Sequence, residues 1–579
     1  MSRLLPLETS PDVVTLAVEI DGSELPGHVS ILAVEVVQQA NRVSYARIRI
    51  ADGNPATGDF PISADELFVP GKALSILAGY HGEAEAIFTG VVFTQRAVVR
   101  SKESWVEVKV RDAASKMTLV RRNRYFEDVT DSDVAESLLS EYGLDADIEP
   151  TEVTHAQLLQ YQASDWDFMV GRLEANGQLC IASNGQVRSF APSLQAEVTA
   201  EILYGATLLE LDAEFDARTQ SSSIKSFSWD PAGQELLEAE AGDPAWEGNG
   251  NLTVDDMTAA TGRDEDQLWH GGSLAADALQ AWADGSLLRA RIAASCGRAR
   301  FKGLPQLEVG HTIELSGLGD RFNGKVLVTG IRHEFTDNNW VTDAQFGLPR
   351  KTLAETFTIS ELPAAGLVPA VSGLQLGIVT QLADDPAGES RIRVKIPVAG
   401  FSEQGVWARV ATLDAGAGRG TLFRPEVDDE VAVGFFHDDP AQPVVLGMLH
   451  SSAKEPPEEA SEDNHRKVYV SRSGLTLAFD DEESVLTMST PGENLITLSD
   501  ADGGITLEDE NGNSIMLTAD GIVLKSASDI AFQADGDIKL EGTNIELKAS
   551  AELKAEASAA AELKSSGTLT MQGSLVQIN

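Results

Sequence analysis

Cysteine is almost missing from this chain: Cys180 and Cys296 are the only two in 579 residues, and they stand far apart. That spacing argues for two buried thiols and against a disulfide framework. Basic residues are also scarce, with 44 Lys and Arg against 90 Asp and Glu, a formal charge of -46. Nucleic-acid binding needs a basic surface that displaces counterions, so this balance excludes it and leaves acidity as a means of keeping a large assembly soluble. No apolar run reaches membrane-spanning length, and the opening MSRLLPLETSPDVV lacks a secretory core, so the expectation is a protein made and assembled in a cytoplasm.

Catalytic and cofactor motifs are missing as well. There is no P-loop, no G-x-S-x-G and no H-E-x-x-H. The nine histidines are scattered without metal-ligand spacing and none follows His465, so neither a metal nor a cofactor is expected. Gly416 to Gly420 (GAGRG) is not a dinucleotide fingerprint and reads as a turn between strands. Acidic turns at Asp500-Ala501-Asp502-Gly503 and Asp535-Gly536-Asp537 continue into no EF-hand or nonapeptide repeat, and solvated turns are expected there.

What the chain does have is a repeat. From Ile522 the pattern apolar-x-apolar recurs as Ile522/Leu524, Ile530/Phe532, Ile538/Leu540, Ile545/Leu547, Leu553/Ala555, Ala561/Leu563, Leu569/Met571 and Val576/Ile578, at steps of seven or eight residues. Residues i and i+2 of a strand face one side, so each pair points two side chains inward. Upstream the device runs with wider spacing, as Leu475/Leu477, Leu486/Met488, Ile496/Leu498, Ile505/Leu507 and Ile515/Leu517. Asp-Gly, Asn-Gly or Gly-Gly between several of them supplies positive-φ turn positions. Eight residues per unit are too few for one chain to enclose an apolar core, whereas three chains could each cover one side of a prism. The competing reading is an α-helix over 546–565, which is rich in Ala, Leu, Glu and Lys, but it would bury different positions from the strand ladder.

The first 120 residues read as strands, with VSYARIRI (Val43 to Ile50) and IFTGVVF (Ile87 to Phe93) the clearest. Helices are expected from Thr130 to Gly143, from a Ser164 N-cap with Asp167 completing a capping box to near Gly177, and from about Ser273 to Cys296 with a break at Asp284-Gly285. Strands resume from Thr312 to Phe346. Pro70 to Ile76 followed by Phe88 to Val92 resembles Val309 to Leu315 followed by Phe322 to Val326: a Gly turn, an alternating strand, a second Gly turn and a further strand. Two related barrel-like domains are the expectation.

Further on, RIRVKI (Arg391 to Ile396), VWARV (Val406 to Val410), RPEVDDEVAVGF (Arg424 to Phe435) and DPAQPVVLG (Asp439 to Gly447) give five short alternating strands in about 80 residues, a small barrel of OB type. Local acids such as Asp384, Asp385, Glu389 and Asp428 offset its arginines. Ser451 to Asn464 is a polar Pro/Glu linker.

These residues carry a resemblance. Gln160-Tyr161-x-x-Ser164-Asp165-Trp166-Asp167-Phe168-x-x-x-Arg172-Leu173-Glu174-x-x-Gly177 resembles the hub domain of the VgrG family and of contractile phage tails, with Ala163 standing where that pattern usually has an acidic residue. Arg332-His333-Glu334-Phe335 with Trp340-x-Thr342 resembles the last hub strands. The barrel's run of W-A-R-V, P-x-V-D-D-E-V-x-V and D-P-x-x-P-V-V-x-G resembles the barrel beneath the needle of VgrG and phage spikes. The linker has no room for the lysozyme domain that some such spikes insert there, and no effector domain is expected after the needle.

The resemblance implies a mainly β protein with a few helices: hub β-domain 1 at 1–125, a helical/β insert at 126–270, hub β-domain 2 at 271–370, an OB barrel at 371–450, a linker at 451–464 and a trimeric β-helix needle at 465–579. It implies a structural, non-enzymatic homotrimeric spike of a type VI or phage-tail-like extracellular contractile injection system. Its partners would be the inner tube ring, baseplate proteins, a PAAR-type tip protein and effector cargo. The particle would be assembled in a bacterial cytoplasm, delivered outside the cell, and meet a target membrane on firing. The expected trimer core is Ile522, Leu524, Ile530, Phe532, Ile538, Leu540, Ile545, Leu547, Leu569, Met571, Val576 and Ile578, with Leu575 to Asn579 (Leu575, Val576, Gln577, Ile578, Asn579) meeting the tip cap. The alternative is a glycan-degrading lysin or depolymerase on a trimeric β-helix. Against it, Phe479 and Phe532 are the only Phe or Trp after Asn464, too few for sugar platforms.

Overall fold

The computed structural model describes residues 13–400 and 404–578. Asn579 lies outside them. The chain divides into two units, one running up to Leu374 and including Gly434–Val444, the other formed by Gln375–Val433 and the residues from Val445 on. No helix is long and apolar enough to cross a membrane among the described residues.

The first unit is built on a 13-stranded sheet that contains the same strand order twice. In the first half, Ala73–Tyr80, Glu83–Val99, Ser104–Arg111, Tyr45–Ala51 and Ile31–Gln39 are neighbours in that order. In the second half, Thr312–Ser316, Gly324–Thr336, Asn339–Phe346, Ser295–Lys302 and Leu208–Phe215 follow the same order, and every one of these pairings is antiparallel. Ile31–Gln39 joins the halves by pairing antiparallel with Gly324–Thr336, Val36 opposite His333. Two strands at 198–215, which the sequence reading left to the insert, thus belong to the second half; Val198–Leu203 runs parallel to Thr312–Ser316.

The repeat seen in the sequence has one correct anchor and one misplaced. Gly71 donates to the Val92 carbonyl (2.9 Å) and Val92 to that of Lys72 (2.9 Å); Gly310 donates to Val328 (2.7 Å) and Val328 to His311 (2.9 Å). Both glycines have positive φ, 104° and 93°, so the tight entry to the strand is the same twice. Gly90 is not a turn. It lies inside Glu83–Val99, where a Cβ would meet the Arg111 carbonyl oxygen at 2.4 Å, whereas Gly324 opens its strand.

Alternation explains the two cores. Val34, Val36, Ile48, Ile50, Val106 and Val108 point to one side and are buried with Phe88 and Trp340, while the second half buries Ile313, Leu315, Phe301 and Phe346. Between the halves stand two expected helices. Asp131–Glu141 begins with Thr130 and Asp133 in a reciprocal capping box and ends before Gly143 at φ 65°. Asp165–Ala175 begins with Ser164 accepting from the Asp167 amide, although the Asp167 carboxylate returns to the Ser164 hydroxyl and not to its amide.

The third helix, Ala276–Ala293, is unbroken at Asp284-Gly285. Gly285 is there for contact: a Cβ on it would stand 2.7 Å from the Gly177 nitrogen, so the end of one helix packs directly on the other's backbone. A capped helix at Val254–Thr261 carried too weak a pattern to be read.

Gln375–Gln381, Ile392–Lys395, Val406–Val410, Pro443–Met448 and Glu430–Phe435 close a five-stranded barrel in that order, most of whose residues belong to the second unit. Val379, Ile392, Val394, Ala408, Val431, Val433 and Val445 fill it. Gly377 leaves room for them, since a Cβ there would meet Val394 at 2.4 Å. Beyond it, seven strands of five residues from Arg466–Val470 to Gly521–Lys525 form one antiparallel meander.

Candidate functional site

The meander stacks the sequence's apolar pairs into columns. Cross-strand register places Tyr469, Leu477, Met488, Ile496, Leu507, Ile515 and Leu524 side by side, and next to them Phe479, Leu486, Leu498, Ile505, Leu517 and Ile522. Neighbours across strands and at i+2 share a face, so these two columns make one continuous apolar surface. The opposite face carries Val468, Ala478, Thr487, Thr497, Thr506, Met516 and Val523. One pair is shifted from the reading: the strand Thr476–Asp480 presents Leu477 and Phe479, and Leu475 precedes it.

Nothing among the described residues covers this surface. The first column, from Tyr469 to Leu524 and on to Ile530, lines an open trough of about 800 Å³. No side chain of the two columns is buried: Tyr469 is 50% exposed, Leu507 37% and Ile522 72%. Burying one such side chain is worth about 1.5–3 kcal/mol, so a solvated row of them is unfavourable.

Residues 526–578 differ from the meander in pairing. They contain neither strand ladder nor helix, which removes the α-helical reading of 546–565. Ile530, Phe532, Ile538, Leu540, Ile545, Leu547, Leu569, Met571, Val576 and Ile578 all stand at least half exposed, as does Leu575 at 82%, and Gln577 is exposed. Steps of nine to eleven residues, and the seven-residue step from Ile515 to Ile522 closed by a two-residue turn, all pair within the chain. Past Lys525 no ladder continues among the described residues, and both the apolar side chains and the backbone donors must find partners elsewhere. The switch is pinned by Asn513, whose Oδ1 accepts from Ser526 (2.9 Å) and the Ala527 amide (2.8 Å). Asp509 holds Asn513 in turn at 2.7 Å, and that hydrogen bond first of all lowers the Asp509 pKa.

The meander is fastened to the barrel by contacts that no spacing in the sequence announces. Phe423 meets Tyr469 edge-on at 5.0 Å, Arg472 pairs with Glu426 at 3.0 Å, and Lys454, inside the expected linker, pairs with Asp429 at 3.0 Å.

The hub motif residues turn out to be ties. Gln160 donates to Asp165 (2.8 Å), Trp166 is buried, and Arg172 forms two bonds to Asp131 (2.6 and 3.0 Å). Glu174 is buried with Arg289 as its ion-pair partner and also accepts from Asn41 (2.7 Å) and the Leu353 amide (2.7 Å). That one carboxylate joins a strand end, two helices and the segment after the last hub strand. Such a buried pair is costly to break from one side. Cys180 is fully buried, and burial pushes its thiol above the ordinary range; Cys296 is largely buried and raised to about 11 for the same reason. Among the described residues no group of three His, Cys, Asp or Glu could hold a metal.

Three family models match along the chain: the Alg8 N-terminal domain over residues 10–337, the type VI secretion system/phage-baseplate injector OB domain over 375–450, and the phage baseplate V C-terminal trimerisation domain over 485–579. Two curated type VI secretion system spike proteins of Pseudomonas aeruginosa, VgrG4b and VgrG5, are each 34% identical over 116 residues, which is 18% of this chain and 14% of theirs. The match thus spans about a seventh of those relatives' length. Among solved structures, a 43 kDa prophage MuSo2 tail protein from Shewanella oneidensis aligns with a TM-score of 0.44 at 12% identity, covering 58% of this chain and 99% of that one.

Proposed function

The chain belongs to the family defined by the Alg8 N-terminal domain, and from its further matches to the injector OB domain and the trimerisation domain we propose that it is the structural central spike of a contractile injection machine. The observation that supports this most is the two-column apolar face of the meander, running into a segment with neither cover nor backbone partners of its own. Three copies wrapping around one axis would satisfy both needs, and the match of 485–579 to a trimerisation domain favours that number.

In this reading the domain division follows the one expected from the sequence, except that the strands at 198–215 go with the second hub half, with the barrel as neck and residues 465–579 as needle. Each chain brings two similar hub halves, so a trimer presents six and can seat on a sixfold inner tube ring. Baseplate proteins surround the hub. A PAAR-type protein caps the tip at Leu575 to Asn579, and effectors ride on it. The particle is assembled in a bacterial cytoplasm, and firing drives the needle against a target membrane outside the cell. The mechanism is mechanical: laterally paired strands transmit load without an open edge. No enzymatic step is proposed.

Negative-stain images of purified protein are expected to show a thick head and a thin shaft. A PAAR-type protein is expected to bind the full chain and not a form truncated at residue 565. Equal binding to both would remove the tip assignment, and release of reducing sugars or muropeptides would favour the depolymerase reading.

A further inference from the structure

The largest difference between the two hub halves lies in one connection. Between the equivalent strands of the first half lies a five-residue turn, 40–44; in the second half residues 216–294 are inserted. The insert has its own three-stranded sheet, Glu235–Glu240, Ser223–Asp230 and Glu265–Trp269, in that order. One face, with Ile224, Ser226 and Ser228, is buried, and Ser226 donates to the Leu279 carbonyl of the helix Ala276–Ala293 at 2.8 Å.

The other face is open, and it is aromatic. Trp269 stacks on Phe227 with ring centroids 4.4 Å apart and planes 17° from parallel, yet stays 60% exposed. Trp229 lies on the same strand face two residues on, paired with Leu236; they are 46% and 48% exposed. Phe227 is the only member hidden, and it is hidden by Trp269. Carboxylates adjoin this group: Glu238 opposite Phe227, Glu240 in the next row and Glu265 beyond. The one cation on the face, Lys225, is already held by Glu238 (2.7 Å) and Glu265 (3.5 Å). The face therefore keeps a surplus of negative charge beside two open indole rings.

We propose that this sheet face is a docking site, one per chain, for a basic protein segment whose arginine or lysine side chains lie over Trp229 and Trp269 and reach Glu238, Glu240 and Glu265. Indole faces and carboxylates attract the same ligand, a cation on an apolar stem. Exposed tryptophans in an acidic setting form the kind of anchor on which a few residues carry most of an interface. A second copy of this chain, at -46, is the wrong partner by charge. The face occurs once per chain although the hub fold occurs twice, so its ligand is distinct from anything read by the repeated halves.

The test uses the full-length protein and a fluorescently labelled synthetic peptide of alternating Arg and Leu, followed by anisotropy at physiological salt. Binding at one site per chain is expected, with about tenfold loss in Trp229→Ser/Trp269→Ser. A smaller loss with a flattened salt dependence is expected in Glu238→Gln/Glu240→Gln/Glu265→Gln, and none of the binding should survive replacing Arg by Glu in the peptide. Equal affinity for parent and tryptophan variant would reduce the effect to general polyanion attraction and overturn the site. In a separate arm, Trp269→Cys should react with maleimide in the assembled protein at the rate of an exposed thiol. Protection there would mean that another copy already covers the face, which also overturns the proposal.

Discussion

The hub and the C-terminal needle use the same pattern and reach opposite ends. In the hub strand Tyr45–Ala51, Ile48 and Ile50 alternate with arginines and are fully buried; in the needle, Ile522 and Leu524 alternate with Val523 and Lys525 and are 72% and 48% exposed. Period-two amphipathicity says which side of a strand wants cover and is silent about who supplies it. In the hub the cover comes from the same chain, from nearby strands and from Phe335 and Trp340 far along the sequence. In the needle no such element exists among the described residues, and the cover has to come from another chain.

The largest expected effect separates the two regions outright. Charging the needle columns, as in Ile538→Asp with Ile545→Asp, places unpaired carboxylates against an apolar axis three times over and should abolish the trimer at micromolar concentration. The hub should keep its cooperative melt. Light scattering with calorimetry reads both, and a trimer that survives the two charges would break the comparison.

Next in size is the hub's own weak point. Glu174→Ala strands the buried Arg289 and should cost about 3–5 kcal/mol, seen as a lower hub melting temperature with no change in oligomeric state. A third contrast is in concentration dependence. Leu498→Ala and Ile48→Ala each remove a similar side chain, at about 2–5 kcal/mol where the site is fully buried. Only the needle variant should melt at a temperature that rises with protein concentration.

Smaller again is a pH effect confined to the hub. Burial lowers His333 to about 4, with Thr342 Oγ1 2.9 Å from its Nδ1. The unfolded chain, with an ordinary histidine near 6.5, takes up the proton first, so this contribution is intact above about pH 6.5 and is lost progressively down to about pH 4. The total is roughly 3 kcal/mol. His333→Gln should flatten the hub's stability slope in that window, and needle dissociation should not share it, since no histidine follows His465.

How much could be read beforehand follows the range of each interaction. The columns were legible because i and i+2 lie on one face whatever the partner, and the Gly71 and Gly310 entries because positive φ leaves a local mark. The helix start at Thr130 was legible from the acidic residues that open it, and that at Ser164 from its cap. The Glu174 ties to Asn41, Arg289 and Leu353 were not, since nothing local relates those positions. Gly90 and Gly285 were misread as a turn and a break because a glycine chosen for close backbone approach looks the same in sequence as one chosen for its φ. The change at 526 was not legible, since the seven-residue step from Ile515 to Ile522 still pairs within the chain and step length alone does not say where pairing stops.

The central claim, that the C-terminal columns are covered by copies of the same chain, is tested most directly by the mass of the full-length protein in solution across a hundredfold dilution. The account predicts a single species of about 185 kDa, three times 61.8 kDa. A monodisperse 61.8 kDa particle with a folded, protease-resistant segment 526–578 would contradict it.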